Sequence, residues 1–299
     1  MQSFDPDRWQ SDVLDQIFEA LAAYQPIADS MVFKGARVLN LRLGHSRQSL
    51  DIDGNLSNAF AANSPTQDAR LNFFEKHLPL ALSRHFERQE PVRYTSDNIT
   101  ITRRPKTDHP RGWDGFVVKL SISDQQIGNT NKPPDLGLDI NAPEPVSAHA
   151  IAPLKIGRYE VQAYTLQRIA AEKLRAFLTS LPSYRAKIQP KKRPVPIRSK
   201  DLHDLARICR TKNPAVNGPF WKQVAEDFQL ACQSRFVDCE GLCTFQDNWN
   251  VTTADYRRDA KLNVVDFDEA EAALRSVIGV FSALKVFPLV FPLPAAVKS

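Results

Sequence analysis

Phe33-Lys34-Gly35-Ala36-Arg37-Val38-Leu39, followed shortly by Arg47-Gln48-Ser49-Leu50-Asp51-Ile52-Asp53, decides how this chain is read. In the second run Leu50-Asp51-Ile52-Asp53 alternates apolar and acidic residues, the period of a half-buried strand. Side chains two apart on a strand share a face, so Asp51 and Asp53 project their carboxylates side by side. Two such anions repel, and a hard divalent cation such as Mg²⁺ relieves them. A Mg²⁺ held by two carboxylates keeps positions open for waters and phosphate oxygens, so the pair points to phosphoryl or nucleotidyl transfer.

Asp-x-Asp on its own is common. Asp266-Phe267-Asp268-Glu269 puts an acid three before a glutamate at the start of an apolar-periodic run, which reads as a helix capping box. Context separates the first pair from it: a glycine turn upstream, an arginine and a serine just before, and a strand pattern running through.

With 299 residues the chain is long enough for a full core and two subdomains. A charged fraction of 24% and a hydrophobic fraction of 42% are those of an ordinary soluble protein. The net charge of +5 tilts mildly toward a polyanionic partner. Met1-Gln2-Ser3-Phe4-Asp5 has neither the basic start nor the apolar run of a signal peptide, so a cytoplasmic location is expected. Lys285, Pro288, Pro292 and Pro294 interrupt the apolar stretch from Val277 to Val297. It is therefore read as a helix end plus a packing tail, with no membrane partner. Cys209, Cys232, Cys239 and Cys243 lack a second pair at metal spacing and read as reduced thiols.

Along the chain, residues 9–24 have helical spacing. Met31 to Leu39 reads as a strand or turn entering a helix at Gly35, and Asn55 to Pro65 as a polar loop. Ala69 to Arg88 is helical again, with a kink or break expected at Pro79. Val92–Tyr94, Asn98–Thr102, Phe116–Leu120 and Leu136–Asn141 are strand candidates. From Thr165, a plausible N-cap, the pattern turns helical. The expected class is therefore α/β (α+β), with a domain over residues 1–160 and a helical domain over 161–299.

Asp139, between apolar residues in the last strand candidate, is the natural third carboxylate of the metal site; facing water is its alternative. Lys173 falls inside the apolar arc of the helix after Thr165, while Arg168 and Arg175 lie opposite. It either snorkels out or meets an anion in a cleft. Asp201 lies beside the stripe of the next helix and Asp204 away from it; both also suit a helix N-terminus. Arg185, Lys187, Lys191, Lys192, Arg193 and Arg198, spaced by prolines, suit a nucleic-acid backbone or a solvated linker. Ser49 lacks His and Asp partners for nucleophilic work, so a phosphate or loop contact suits it better.

Four blocks, Phe33-Lys34-Gly35 with Leu39, Arg47-x-Ser49-x-Asp51-Ile52-Asp53, Leu166 to Ala176 around Glu172-Lys173, and Asp201-Leu202-x-Asp204-Leu205, resemble the AbiEii/AbiGii, or MenT-like, nucleotidyltransferase toxin family. The resemblance covers roughly residues 30–210. It implies a polymerase-β-like nucleotidyltransferase domain with a mixed sheet, followed by a helical domain contributing Lys and Asp to the active-site cleft. It further implies Mg²⁺ on Asp51 and Asp53, NTP as substrate contacted by Ser49 and Lys173 together with Gly35, Arg37 and Arg47, and Asp201 or Asp204 serving the acceptor. RNA, with the tRNA 3′ end first among candidates, is the implied acceptor, and a cognate antitoxin the implied partner. Where the family has Gly-Gly-Thr or Gly-Gly-Ser, this chain has Gly35-Ala36-Arg37, so a cation stands in the hydroxyl's place. A transferase acting on a protein or small molecule, and a catalytically degenerate binding member, remain the competing readings.

Overall fold

Asp5 accepts hydrogen bonds from the backbone N–H groups of Asp7 and Arg8 and so starts α1, Pro6–Ala23. Trp9, Val13, Leu14, Ile17 and Leu21 form its buried stripe. The computed structural model describes residues 4–44, 49–106, 113–127, 133–188, 196–262 and 264–293. It divides into two compact units. The first is Met1–Leu41, Gln48–Pro143 and Ala152–Tyr164; the second is Arg42–Arg47, Glu144–Ile151 and Thr165–Ser299.

In the first unit α1 is followed by α2 (Gln25–Ser30), β1 (Met31–Lys34), α3 (Gly35–Leu43), β2 (Asp51–Leu56), α4 (Asn58–Asn63), α5 (Gln67–Phe86), β3 (Tyr94–Arg104), β4 (Gly115–Asp124), β5 (Leu136–Asn141), β6 (Ile151–Ile156) and β7 (Tyr159–Tyr164). The strands form one mixed sheet in the order β3-β4-β5-β2-β1-β7-β6. β1 is antiparallel to β2 and parallel to β7, whereas β2 runs parallel to β5. The α/β class is as read from the residue pattern, and the mixed sheet is as the family resemblance implied. β2 and β5 sit centrally, which explains why Ile52, Leu138 and Ile140 are fully buried.

Four local expectations are corrected. The polar run after β2 contains α4, because Ser57 accepts from Phe60 N–H and Phe60 packs on Phe73 and Phe74. Pro79 does not break α5; it sits on the exposed side, between the buried Leu78 and Leu82. A missing N–H costs least where water would have served it. Asn98–Thr102 belongs to one long strand, β3, that passes a register shift between Ser96 and Asn98; Val92 stays outside it. β6 and β7, which periodicity did not single out, form a hairpin around Gly157, at φ +58°.

The second unit holds α6 (Leu166–Ser180), α7 (Pro182–Ile188), α8 (Lys200–Thr211), α9 (Gly218–Arg235), α10 (Leu242–Phe245), α11 (Trp249–Arg258) and α12 (Phe267–Ala283). Thr165 caps α6 and Asp266 caps α12, each through its side-chain oxygen. After α12 the chain packs back: Phe287 lies against Phe228 and Phe281, and Leu289 bridges Cys239. The four cysteines are free thiols.

Candidate active site

Register decides which side chains share a face of the sheet. Lys34 pairs with Asp53 across β1 and β2, and Asp53 pairs with Asp139 across β2 and β5. Residues paired on adjacent strands project to the same side, as do residues two apart on one strand. Asp51, opposite Gly137, therefore joins Asp53 and Asp139. Asp139 pairs with Val117, and Val117 with Thr102, so Arg104, two further along β3, rises from that face too. Tyr164 closes the row at β7, with the Lys34 amine 6.0 Å from its ring centroid. The result is a patch of three carboxylates flanked by two cations.

Burial pushes the Asp139 carboxyl above its ordinary range and the charge of Asp51 adds to this, against smaller opposition from Arg104 and Lys34. Such crowding of like charge is what a bound cation relieves. Among the described residues no group of three or more His, Cys, Asp and Glu is gathered to hold a metal ion. The donor set fits a hard cation held by one or two carboxylates and completed by water and phosphate oxygens, the habit of Mg²⁺.

Gly35 has φ +80°, and a Cβ built there would stand 2.1 Å from Asp53 Oδ2. The carboxylate thus rests against the first residue of α3, where backbone N–H groups lack intrahelical partners and a helix end is electropositive. Gly35→Ala adds both a clash and left-handed strain, on the order of 1–3 kcal/mol. We expect a lower melting temperature; an alanine variant that melts like wild type would contradict this packing.

The buried Ser49 hydroxyl donates toward the Asp51 backbone oxygen at 3.1 Å and Oδ1 at 3.2 Å. Arg37, expected at the triphosphate, is buried, ion-paired with Asp15, and donates to the Ser49 carbonyl at 2.7 Å. It braces the chain that enters β2. Arg47 and the run Lys191-Lys192-Arg193 lie outside the described residues.

In the helical unit, Lys173 on α6 lies 3.1 Å from Asp201 Oδ1 and 2.6 Å from Asp204 Oδ2, with all three side chains buried. Arg198 donates to Asp201 Oδ2 at 2.6 Å, and His203 Nδ1 stands 3.4 Å from Asp204. Burial raises the Asp201 carboxyl, but Lys173 and Arg198 outweigh it and hold it below its ordinary range. The expectation that Asp204 turns away is corrected: both acids face Lys173. The placing of Arg168 opposite the core is corrected too. It is fully buried, 2.6 Å from Glu172, 3.5 Å from Glu144 and 3.6 Å from Asp227. α6 packs against α8 on one side and α9 on the other, so the arc that a helical wheel assigns to solvent lies under α9.

Sequence reasoning missed Lys34 and Arg104 as members of the acidic patch. Only strand register reveals them, although the position of Lys34 beside Gly35 was a signal.

The family model of the nucleotidyl transferase AbiEii toxin, type IV toxin–antitoxin system, matches residues 16–275. Among solved structures, JHP933 from Helicobacter pylori aligns at a TM-score of 0.51 and 18% identity, over 92% of this chain and 94% of that one. A nucleotidyltransferase structure from H. pylori aligns at 0.49 and 16%, over 92% and 96%. MenT4, a nucleotidyltransferase toxin from Mycobacterium tuberculosis, aligns at 0.43 and 14%, over 94% and 95%. No curated protein matches the chain.

Proposed function

Because the chain belongs to the AbiEii nucleotidyl transferase toxin family of type IV toxin–antitoxin systems, we propose that it moves a nucleoside monophosphate from an NTP to RNA, with the 3′ end of tRNA as acceptor and blocked translation as the consequence. The observation that carries this reading is the patch on the sheet: Asp51, Asp53 and Asp139 on one face, flanked by Lys34 and Arg104.

The reaction is an in-line attack of a terminal hydroxyl on the α-phosphate, with pyrophosphate leaving. Asp51 and Asp53 would hold Mg²⁺, which lowers the pKa of the attacking hydroxyl and neutralises charge on the leaving group. Asp139 lies beside them as the third acid. Lys34 and Arg104 meet triphosphate oxygens, where fixed cations stabilise the charge that shifts during transfer. Gly35 lets Asp53 approach α3, and Ser49 and Arg37 hold Asp51 at the start of β2. The family resemblance assigns Lys173 to a phosphate and Asp201 or Asp204 to the acceptor hydroxyl as base. A cognate antitoxin is the partner that family membership implies. Among the described residues no helix is long and apolar enough to cross a membrane, and a cytoplasmic location suits an enzyme acting on tRNA.

The test is incubation with each labelled NTP, Mg²⁺ and total RNA. Label should enter RNA of tRNA size with one NTP preferred, and chelation should stop it. Neutralising Lys191, Lys192 and Arg193 should weaken transfer in a salt-dependent way. Label in protein with none in RNA would transfer the reading to a protein acceptor, and no label in any fraction would overturn it.

A further inference from the structure

Away from the acidic patch, the first unit carries a cavity of about 210 Å³ between α1, the end of α5 and the β6–β7 hairpin. Three arginines open onto it: Arg84 and Arg88 from α5 and the residues just after it, and Arg158 from the hairpin. Among the described residues none of the three is ion-paired with a carboxylate. The electronegative C-terminus of α5 accounts for Arg84 and Arg88. It does not account for Arg158, which arrives from a different element.

Two of the guanidinium groups are already positioned. Arg84 lies over the Tyr24 ring, 5.3 Å from its centroid, and Arg158 over the Tyr159 ring at 5.1 Å. Arg158 also donates Nε–H to the Tyr159 hydroxyl at 3.0 Å, which leaves its terminal N–H groups for a ligand. A guanidinium already held over a ring gives up less freedom when it binds an oxyanion. One face of each ring is taken by these cations. Glu19 is the acid in the lining; it lies against Gly157, where a built Cβ would come 2.7 Å from its Oε1. His85 Nε2 faces Gln16 Oε1 at 3.2 Å. Three arginines against one glutamate leave the cavity electropositive.

We propose that this cavity is a phosphate-recognition site separate from the acidic patch, whose ligand is a phosphate ester: a phosphodiester of an RNA strand or the phosphate of a free nucleotide. Its chemistry suits planar, bidentate capture of phosphate oxygens by arginine.

The test uses the full chain carrying Asp51→Asn, in EDTA, so that nucleotide transfer and metal-assisted binding at the acids do not contribute. The probes are a fluorescein-labelled single-stranded RNA oligonucleotide, a nucleoside monophosphate and inorganic phosphate. Binding is expected with Arg84 and Arg158 intact. R84Q/R158Q should weaken it about tenfold, and for RNA it should reduce the slope of log K against log salt by about 1.4, two contacts at roughly 0.7 each. Both arginines are exposed, so melting should not change. Saturable binding of the monophosphate identifies the nucleotide as the source; binding of RNA alone identifies the backbone. The proposal is overturned if no probe binds, if R84Q/R158Q binds like its parent, or if R275Q, a charge control on α12, loses as much. Because transfer is not the readout, a failed transfer assay would leave this result standing, and the reverse.

Discussion

Asp51→Asn should reduce labelled-nucleotide transfer on the order of a thousandfold while leaving the melting temperature unchanged or slightly raised. The two halves of that expectation have separate causes. On the proposed reading, removing one carboxylate charge removes a ligand for the cation, and with it the charge compensation at the leaving group, so the chemistry fails. Stability runs the other way, because Asp51 contributes to the repulsion that lifts the Asp139 carboxyl. An asparagine keeps an Oδ1 acceptor for the Ser49 hydroxyl, which now stands 3.2 Å from it. Asp51 is half-buried at the start of β2, so no cavity opens. Measuring transfer and melting on the same preparation checks both halves. Retained transfer in a well-folded variant would reject the assignment of the acid pair to catalysis. Lost transfer with a collapsed melting curve would make Asp51 a structural residue.

Lys173→Ala behaves differently. Its amine is matched by Asp201 and Asp204, all three buried. Truncation leaves two carboxylates without their shared partner, and breaking a buried pair costs about 3–5 kcal/mol. For a protein of this size that lowers the melting temperature by roughly 6–20 °C. Loss of activity in the alanine variant would therefore not by itself assign Lys173 to phosphate. The triple variant K173M/D201N/D204N separates the roles. Removing all three charges together should recover most of the stability, since a buried ion cluster is often worth little against neutral groups of similar size. If transfer stays absent in a refolded triple variant, the charges are chemical; if it returns, they are structural.

Acid completes the same argument. The folded-state pKa of Asp201 is depressed, so the stability it contributes is present above the unfolded carboxyl value of about 3.9. That stability is lost as pH falls through the lower folded value. Wild type and Lys173→Ala should accordingly differ in melting at neutral pH and converge in strong acid. A constant gap would point away from ionised carboxylates.

Much of this molecule was written locally. Period-two alternation marked β2 and β5, and Thr165 and Asp266 announced their helices because a capping oxygen needs only neighbours along the chain. The same locality made Asp51, Asp53 and Asp139 legible as candidates, since acids between apolar residues on strands stand out without knowledge of pairing. Tertiary structure decided the rest. Lys34 and Arg104 became members of the acidic patch only through strand register, which links residues far apart in sequence. Arg168 moved from an expected surface to a buried charge cluster because a second helix covers that side of α6. Asp204 joined Lys173 for a related reason: burial is set by which elements pack together, and a helical wheel knows only its own helix.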